Sequence, residues 1–183
     1  YTWNAPLICS KYDPRVYYHG AQVLLRTDDM GKHWTEVSPD LTRNDKTKQG
    51  KMGVPYTNEA VGAENYGTLA YIAESALEQG VIWTGSDDGL VYITRDNCKT
   101  WTNVTPAGLP ECQINAIELS SFDKGTAYIA TTRYKFNDKA PGLYKTSDYG
   151  KTWAKIDTGI PVGAFTRVLR EDPVRYKWAR NPR

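Results

Sequence analysis

Short β-branched and aromatic runs alternate along this chain with clusters of Asp, Gly and Pro. Apolar residues at every second position between such punctuation predict β-strands rather than helices. Four strands are expected over residues 5–10, 15–20, 22–26 and 34–37, four more over 68–74, 81–85, 90–94 and 101–104, and a third four over 114–119, 126–131, 143–145 and 153–156. A thirteenth, 165–170, runs into the turn Glu171-Asp172-Pro173 and opens a fourth group.

The last two strands of each group are joined by one recurring octet. Its clearest copy is Thr146-Ser147-Asp148-Tyr149-Gly150-Lys151-Thr152-Trp153. A second copy, Thr27 to Trp34, keeps Asp29 and Gly31 and has His33 for the second Thr. A third, Thr94 to Trp101, keeps Asp96 and carries Cys98 at the glycine position. An Asp accepting turn N–H groups, a Gly free to take positive φ and a Trp ring at the base of the turn are the parts of a tight structural corner. The reading is of folding motifs, not catalytic sites.

Four strands per repeat is the blade of a β-propeller, whereas a β-sandwich would not predict a repeated turn sequence. The fold class expected is therefore all-β, a propeller segment of three four-stranded blades plus the first strand of a fourth. Blade one covers 5–38, a long connection 39–66, blade two 67–106, blade three 112–158, the start of blade four 164–175 and an irregular basic tail 176–183. Closed propellers have about 4–8 blades, so the chain is expected to be a piece of a larger protein. Self-association covering the open edges is the expected remedy for them.

Numbering the strands of a blade A to D outward from the axis puts the A–B turns and the octets on one rim. The B–C and D–A connections fall on the other. The long connections, 38–67 and 133–142, both belong to that second rim, and insertions gathered on one face of a repeat protein mark a binding face. Its candidates are Asp87 and Asp88 in Ser86-Asp87-Asp88-Gly89, then Glu64, Asn65 and Tyr66 leading to an innermost strand, and Arg133 and Tyr134 opening the blade-three insertion. Asp87-Asp88-Gly89 carries two readings, a carboxylate in a cleft and an Asp-Gly hairpin turn, the turn being the commoner. Arg133 and Tyr134 could stack on a sugar or dock a protein, although a solvated loop with one anchoring aromatic is commoner. Residues 46–51 read as polar, charged and mobile.

Composition narrows the function classes. With 23 basic and 21 acidic residues, no polyanion partner is indicated, so nucleic acid is not expected. No apolar run is long enough to span a membrane, and the first residues do not read as a signal peptide. His19 and His33 lack metal-ligand spacing, so neither metal nor cofactor is expected. Cys9, Cys98 and Cys112 form no framework, and a Cys98–Cys112 bridge is disfavoured by the strand expected between them. Asn103-Val104-Thr105 matches a glycosylation sequon at a strand end.

The octets, the strand order and the Asp-Pro turns resemble the Asp-box (BNR) repeats of the sialidase-like β-propellers. The pattern is most similar to bacterial sortilin-type (Vps10-like) and xyloglucanase-like repeat proteins. The resemblance covers the chain to about residue 175. It implies an extracytoplasmic protein, secreted or periplasmic, and in the structural corners Thr27, Asp29, Gly31, Trp34, Thr94, Asp96, Trp101, Thr146, Asp148, Gly150 and Trp153. No Arg-Ile-Pro occurs, which departs from sialidases. In xyloglucanase-like enzymes a carboxylate sits on a B–C connection similar to that of Asp87, so by resemblance Asp87 is the catalytic candidate. Glycoside hydrolysis needs a second carboxylate about 5–9.5 Å away, and the sequence names none. Two functions follow: a segment presenting a glycan- or extracellular-protein-binding face without complete catalytic machinery, or part of a glycoside hydrolase active-site ring.

Overall fold

Backbone pairing follows that alternation in the computed structural model, which describes residues 4–49 and 65–174. Blade one contains β1 (Leu7–Cys9), β2 (Tyr17–Gly20), β3 (Leu24–Thr27) and β4 (Thr35–Glu36). Blade two contains β5 (Leu69–Glu74), β6 (Ile82–Ser86), β7 (Val91–Thr94) and β8 (Thr102–Asn103). Blade three contains β9 (Gln113–Leu119), β10 (Ala127–Arg133), β11 (Asp138–Thr146) and β12 (Ala154–Lys155). Each blade is an antiparallel sheet with its strands side by side in chain order. The chain is thus an all-β propeller segment.

The cores lie between blades. Val16, Tyr18 and Leu24 of blade one meet Leu69, Ile72 and Ile82 of blade two. Val81, Trp83, Val91 and Ile93 meet Ile114, Ile117 and Ile129 in the same way. The alternation of β-branched and aromatic residues gives each sheet one face for the blade before it and one for the blade after. Close approach requires small residues at the contact: a Cβ on Gly20 would stand 2.7 Å from Pro6 Cγ and 2.9 Å from Leu69 Cβ.

All three octets close with the same bonds. Thr27, Thr94 and Thr146 donate their hydroxyls to Asp29, Asp96 and Asp148 at 2.7, 2.9 and 2.8 Å. The same hydroxyls accept the N–H of Gly31, Cys98 and Gly150 at 3.0, 3.0 and 2.9 Å. Each aspartate also accepts the N–H of His33, Thr100 or Thr152. The bonds fix two successive positive-φ residues, and Cys98 takes φ 68° where its counterparts are glycine. These bonds lower the pKa values of the aspartates, to about 2 for Asp96 and Asp148. The tryptophan differs from expectation. It precedes strand D, and in the second and third octets it crosses to the blade before: Trp101 Nε1 donates to Val37 O at 3.0 Å and Trp153 Nε1 to Val104 O at 2.7 Å.

Three further expectations need correction. Residues 133–142 are not a loop insertion, because β10 and β11 continue as a hairpin with Arg133 paired to Asp138. Asn137 in the left-handed conformation (φ 54°) and the 3.1 Å Arg133–Asp138 ion pair close it, neither of which shows as apolar alternation. Residues 46–51, read as a polar mobile stretch, include a capped turn: Asp45 caps a 3-10 turn, Lys46–Lys48, and Lys48 Nζ meets Glu111 Oε2 at 2.5 Å, while residues 50 and 51 lie outside the described residues. Residues 165–170 form no ladder among the described residues, although they lie where a fourth innermost strand belongs. The tail 176–183 lies outside the described residues. All three cysteines are free thiols, with Cys98 and Cys112 in separate cores.

Candidate functional site

The rim opposite the octets gathers its connections around one B–C turn. Ser86-Asp87-Asp88-Gly89 is a hairpin turn closed by Ser86, whose N–H donates to Leu90 O at 2.9 Å, with Gly89 at φ 91°. The turn reading therefore holds. Yet its two aspartates face inward: Asp87 is 4% and Asp88 1% exposed. Asp87 Oδ1 accepts the N–H of Gly67 at 3.0 Å and of Thr68 at 2.9 Å, tying the turn to the D–A connection. Asp88 accepts the Ser86 hydroxyl at 2.5 Å and the Arg43 N–H at 2.8 Å, and Arg43 Nε donates to the Asp88 carbonyl. A third connection joins through Glu111, which accepts the Tyr66 hydroxyl and pairs with Lys48.

Asp87 Oδ2 is buried with no hydrogen-bond partner. Burial, reinforced by the charge of Asp88, pushes the Asp87 carboxyl up to about 7, against the pull of the Thr68 and Gly67 N–H groups and of Lys135. Asp88 is raised for the same reason, offset by the Ser86 hydroxyl. Burial and the neighbouring Glu111 carboxylate push Tyr66 far above its ordinary value, so it stays a neutral donor. A carboxyl near neutrality can hold or release a proton at working pH. Asp88 and Glu111 are both engaged in bonds that brace the rim.

Beside this brace lies a cleft of about 380 Å³, lined by Gln22, Asp40, Asn44, Gln49, Asn65 and Tyr66 among others. The structure thus brings together Asp87, Asp88 and Tyr66 and sets Asn65 at the cleft. Arg133 joins them, its Nε donating to Glu111 O at 3.1 Å. Tyr134 does not: it is exposed, with the Arg167 guanidinium 5.9 Å from its ring centroid. Glu64 lies outside the described residues. Arg43, Lys48 and Glu111 were missed, since their partners lie 45 to 63 residues away. Glu111 falls in the D–A connection before blade three, and that placement was the available signal. Among the described residues no cluster suits a metal ion, and no helix is long and apolar enough to cross a membrane.

No protein-family model matches the chain. Among curated proteins it is similar to the vacuolar protein sorting/targeting protein 10 of Colletotrichum graminicola, 29% identical over 85 residues, which is 46% of this chain and 5% of that protein. The counterpart from Chaetomium globosum is 31% identical over 86 residues, 47% of this chain and again 5% of the relative. The chain therefore matches only a small part of the length of these relatives. Among solved structures, the xyloglucanase of glycoside hydrolase family 74 from Xanthomonas campestris superposes with a TM-score of 0.60 at 22% identity, covering 85% of this chain and 22% of the enzyme. YCF48 from Cyanidioschyzon merolae superposes at 0.50 and 14% identity, over 85% of this chain and 42% of that one. In sequence the chain is similar to the sortilin-type Vps10 proteins, and in fold it is a three-bladed segment of a β-propeller.

Proposed function

We propose that this chain presents a binding face for a glycan or a protein on the rim opposite the octets, without complete catalytic machinery of its own. The observation that carries the reading is the convergence of three connections on Asp87, Asp88 and Glu111, which braces an open cleft rich in amide and hydroxyl groups. Rigid support beneath an open polar cleft suits binding, because little order is lost when a ligand enters. A secreted or lumenal setting accords with the sorting proteins and the xyloglucanase that the chain resembles. A second reading, part of a glycoside hydrolase ring, draws on the Asp87 carboxyl near neutrality and on the xyloglucanase fold. Asp87 Oδ1 already serves two backbone N–H groups and Oδ2 is buried, which favours the binding reading.

A panel of oligosaccharides and peptides titrated into the chain tests this. Saturable binding that Asn65→Ala weakens, with no glycan cleaved, supports it. Glycan hydrolysis that Asp87→Asn abolishes would instead establish the enzyme.

A further inference from the structure

We propose that the groove between the outer strands of blades two and three is a docking site for a short, extended acidic peptide. The groove holds about 590 Å³ and is lined by Thr105 and Leu109, from the connection leaving blade two, and by Tyr144, Lys151, Trp153 and Lys155 of blade three. Both blades are complete four-stranded sheets, and β8 and β12 are the outermost strands of theirs. Propeller blades stack face to face, so a further blade before or after would not cover this groove.

Packing holds the groove in shape. Trp153 Nε1 donates to Val104 O at 2.7 Å and its ring meets Trp83 edge-on at 6.2 Å, so the indole is a fixed apolar floor. On the facing wall the Leu109 N–H closes a turn on Pro106 O at 3.0 Å. Gly108 in that turn takes φ 74°, with open space where a Cβ would stand. Trp153 and Lys155, two residues apart, point to the same side of strand D. The Ile156 N–H bonds to Leu143 O, so the antiparallel alternation turns the N–H and C=O of Lys155 away from β11, along the open edge beside the groove. An extended peptide can pair with both groups and send alternate side chains into the groove.

Charge selects the occupant. Among the described residues two lysines and no carboxylate line this groove, whereas the cleft beside Tyr66 includes Asp40 and the one along the innermost strands includes Glu74 and Glu118. Lys155 is held by Asp157 at 2.7 Å. Lys151 is exposed and forms no ion pair among the described residues, and the Tyr144 hydroxyl donates to none of them. An unpaired ammonium and a phenol donor beside an indole floor suit a carboxylate side chain next to an apolar one. The backbone edge suits a peptide rather than a sugar.

The test is a fluorescence-anisotropy titration of the full chain into a dye-labelled, end-capped octapeptide of alternating glutamate and valine. Its lysine–valine counterpart and a labelled oligomer of galacturonic acid are titrated beside it. Saturable one-to-one binding of the glutamate peptide alone is expected, weakening as salt is raised. Lys151→Glu sets like charges against each other and should weaken binding about tenfold, with an unchanged thermal midpoint as control. Asn65→Ala, at the cleft of the proposed binding face, should leave this binding unchanged. Absence of saturable binding, equal binding of the lysine peptide, or indifference to Lys151→Glu overturns the proposal. Binding lost in Asn65→Ala would move the peptide to the cleft beside Tyr66 and overturn this groove, and binding of the uronate alone would overturn this occupant.

Discussion

Trp153 and Trp34 occupy the same place in the same octet, yet only one of them does inter-blade work. Trp153 crosses to blade two, gives its indole N–H to Val104 and packs edge-on against Trp83 at 6.2 Å between ring centroids. Trp34 is 40% exposed, and its ring neighbour is His19 of its own blade. The glycines differ likewise: a Cβ on Gly150 would stand 2.6 Å from Val104 Cβ, whereas one on Gly31 would meet only Trp34. Within the octet the hydrogen bonds are nevertheless the same. The corner is thus a local device, and blade-to-blade cohesion is a second function that Trp101 and Trp153 add to it.

That separation is open to direct attack by paired substitutions, all measured by denaturant unfolding in dilute solution. Trp153→Ala should cost about 3–5 kcal/mol, as for other large-to-small changes at packed aromatics. Trp34→Ala should cost less than about 1 kcal/mol, as expected away from packed sites. Equal losses would show that the indole stabilises its own turn, and the comparison would collapse. The glycine pair sharpens it. Gly150→Ala and Gly31→Ala share the strain of positive φ, and Gly150→Ala should add about 1–3 kcal/mol from overlap with Val104.

The two rims should respond oppositely to pH. Asp87 is raised from 3.8 to about 7 on folding, so its contribution is fully present below about 4 and is lost as pH rises through 7. Asp96 and Asp148 are lowered to about 2, so theirs is present above about 4 and is lost as pH falls towards 2. Asp87→Asn keeps an acceptor for Gly67 and Thr68 and should flatten the decline between about pH 4 and 7 without altering the limb towards pH 2. A wild-type stability that does not fall across that window counts against a buried neutral Asp87. The smallest expected effect is a null difference: Thr27→Val and Thr146→Val should each cost about 1 kcal/mol, because each removes a hydroxyl that serves only its own octet.

How much of this was readable beforehand divides along the same line. Thr146, Asp148, Gly150 and Thr152 bond at separations of two and four residues, so their pattern is written contiguously and repeats three times. The strands were readable because alternation is local, although the hairpin through Asn137 was not, since Asp138, Lys139 and Ala140 carry no apolar rhythm. On the opposite rim, the Asp-Gly turn was legible. That Asp87 would be buried was not, because Gly67 and Thr68 reach it across 19 or 20 residues. Glu111 gathers Tyr66 and Lys48 over 45 and 63 residues, distances at which a single sequence carries no periodic signal. Tyr134, an aromatic beside a cation in sequence, lies instead against Arg167.

The sequence by itself determined the corners, the four-strand repeat of the three blades and the two rims, since hydrogen bonds over a few residues and a period of two need no distant partner. Only the tertiary structure decided which indole is buried and which carboxyl is pushed towards neutrality. Those properties depend on what lies across a blade interface, and desolvation and packing are set by neighbours in space rather than along the chain.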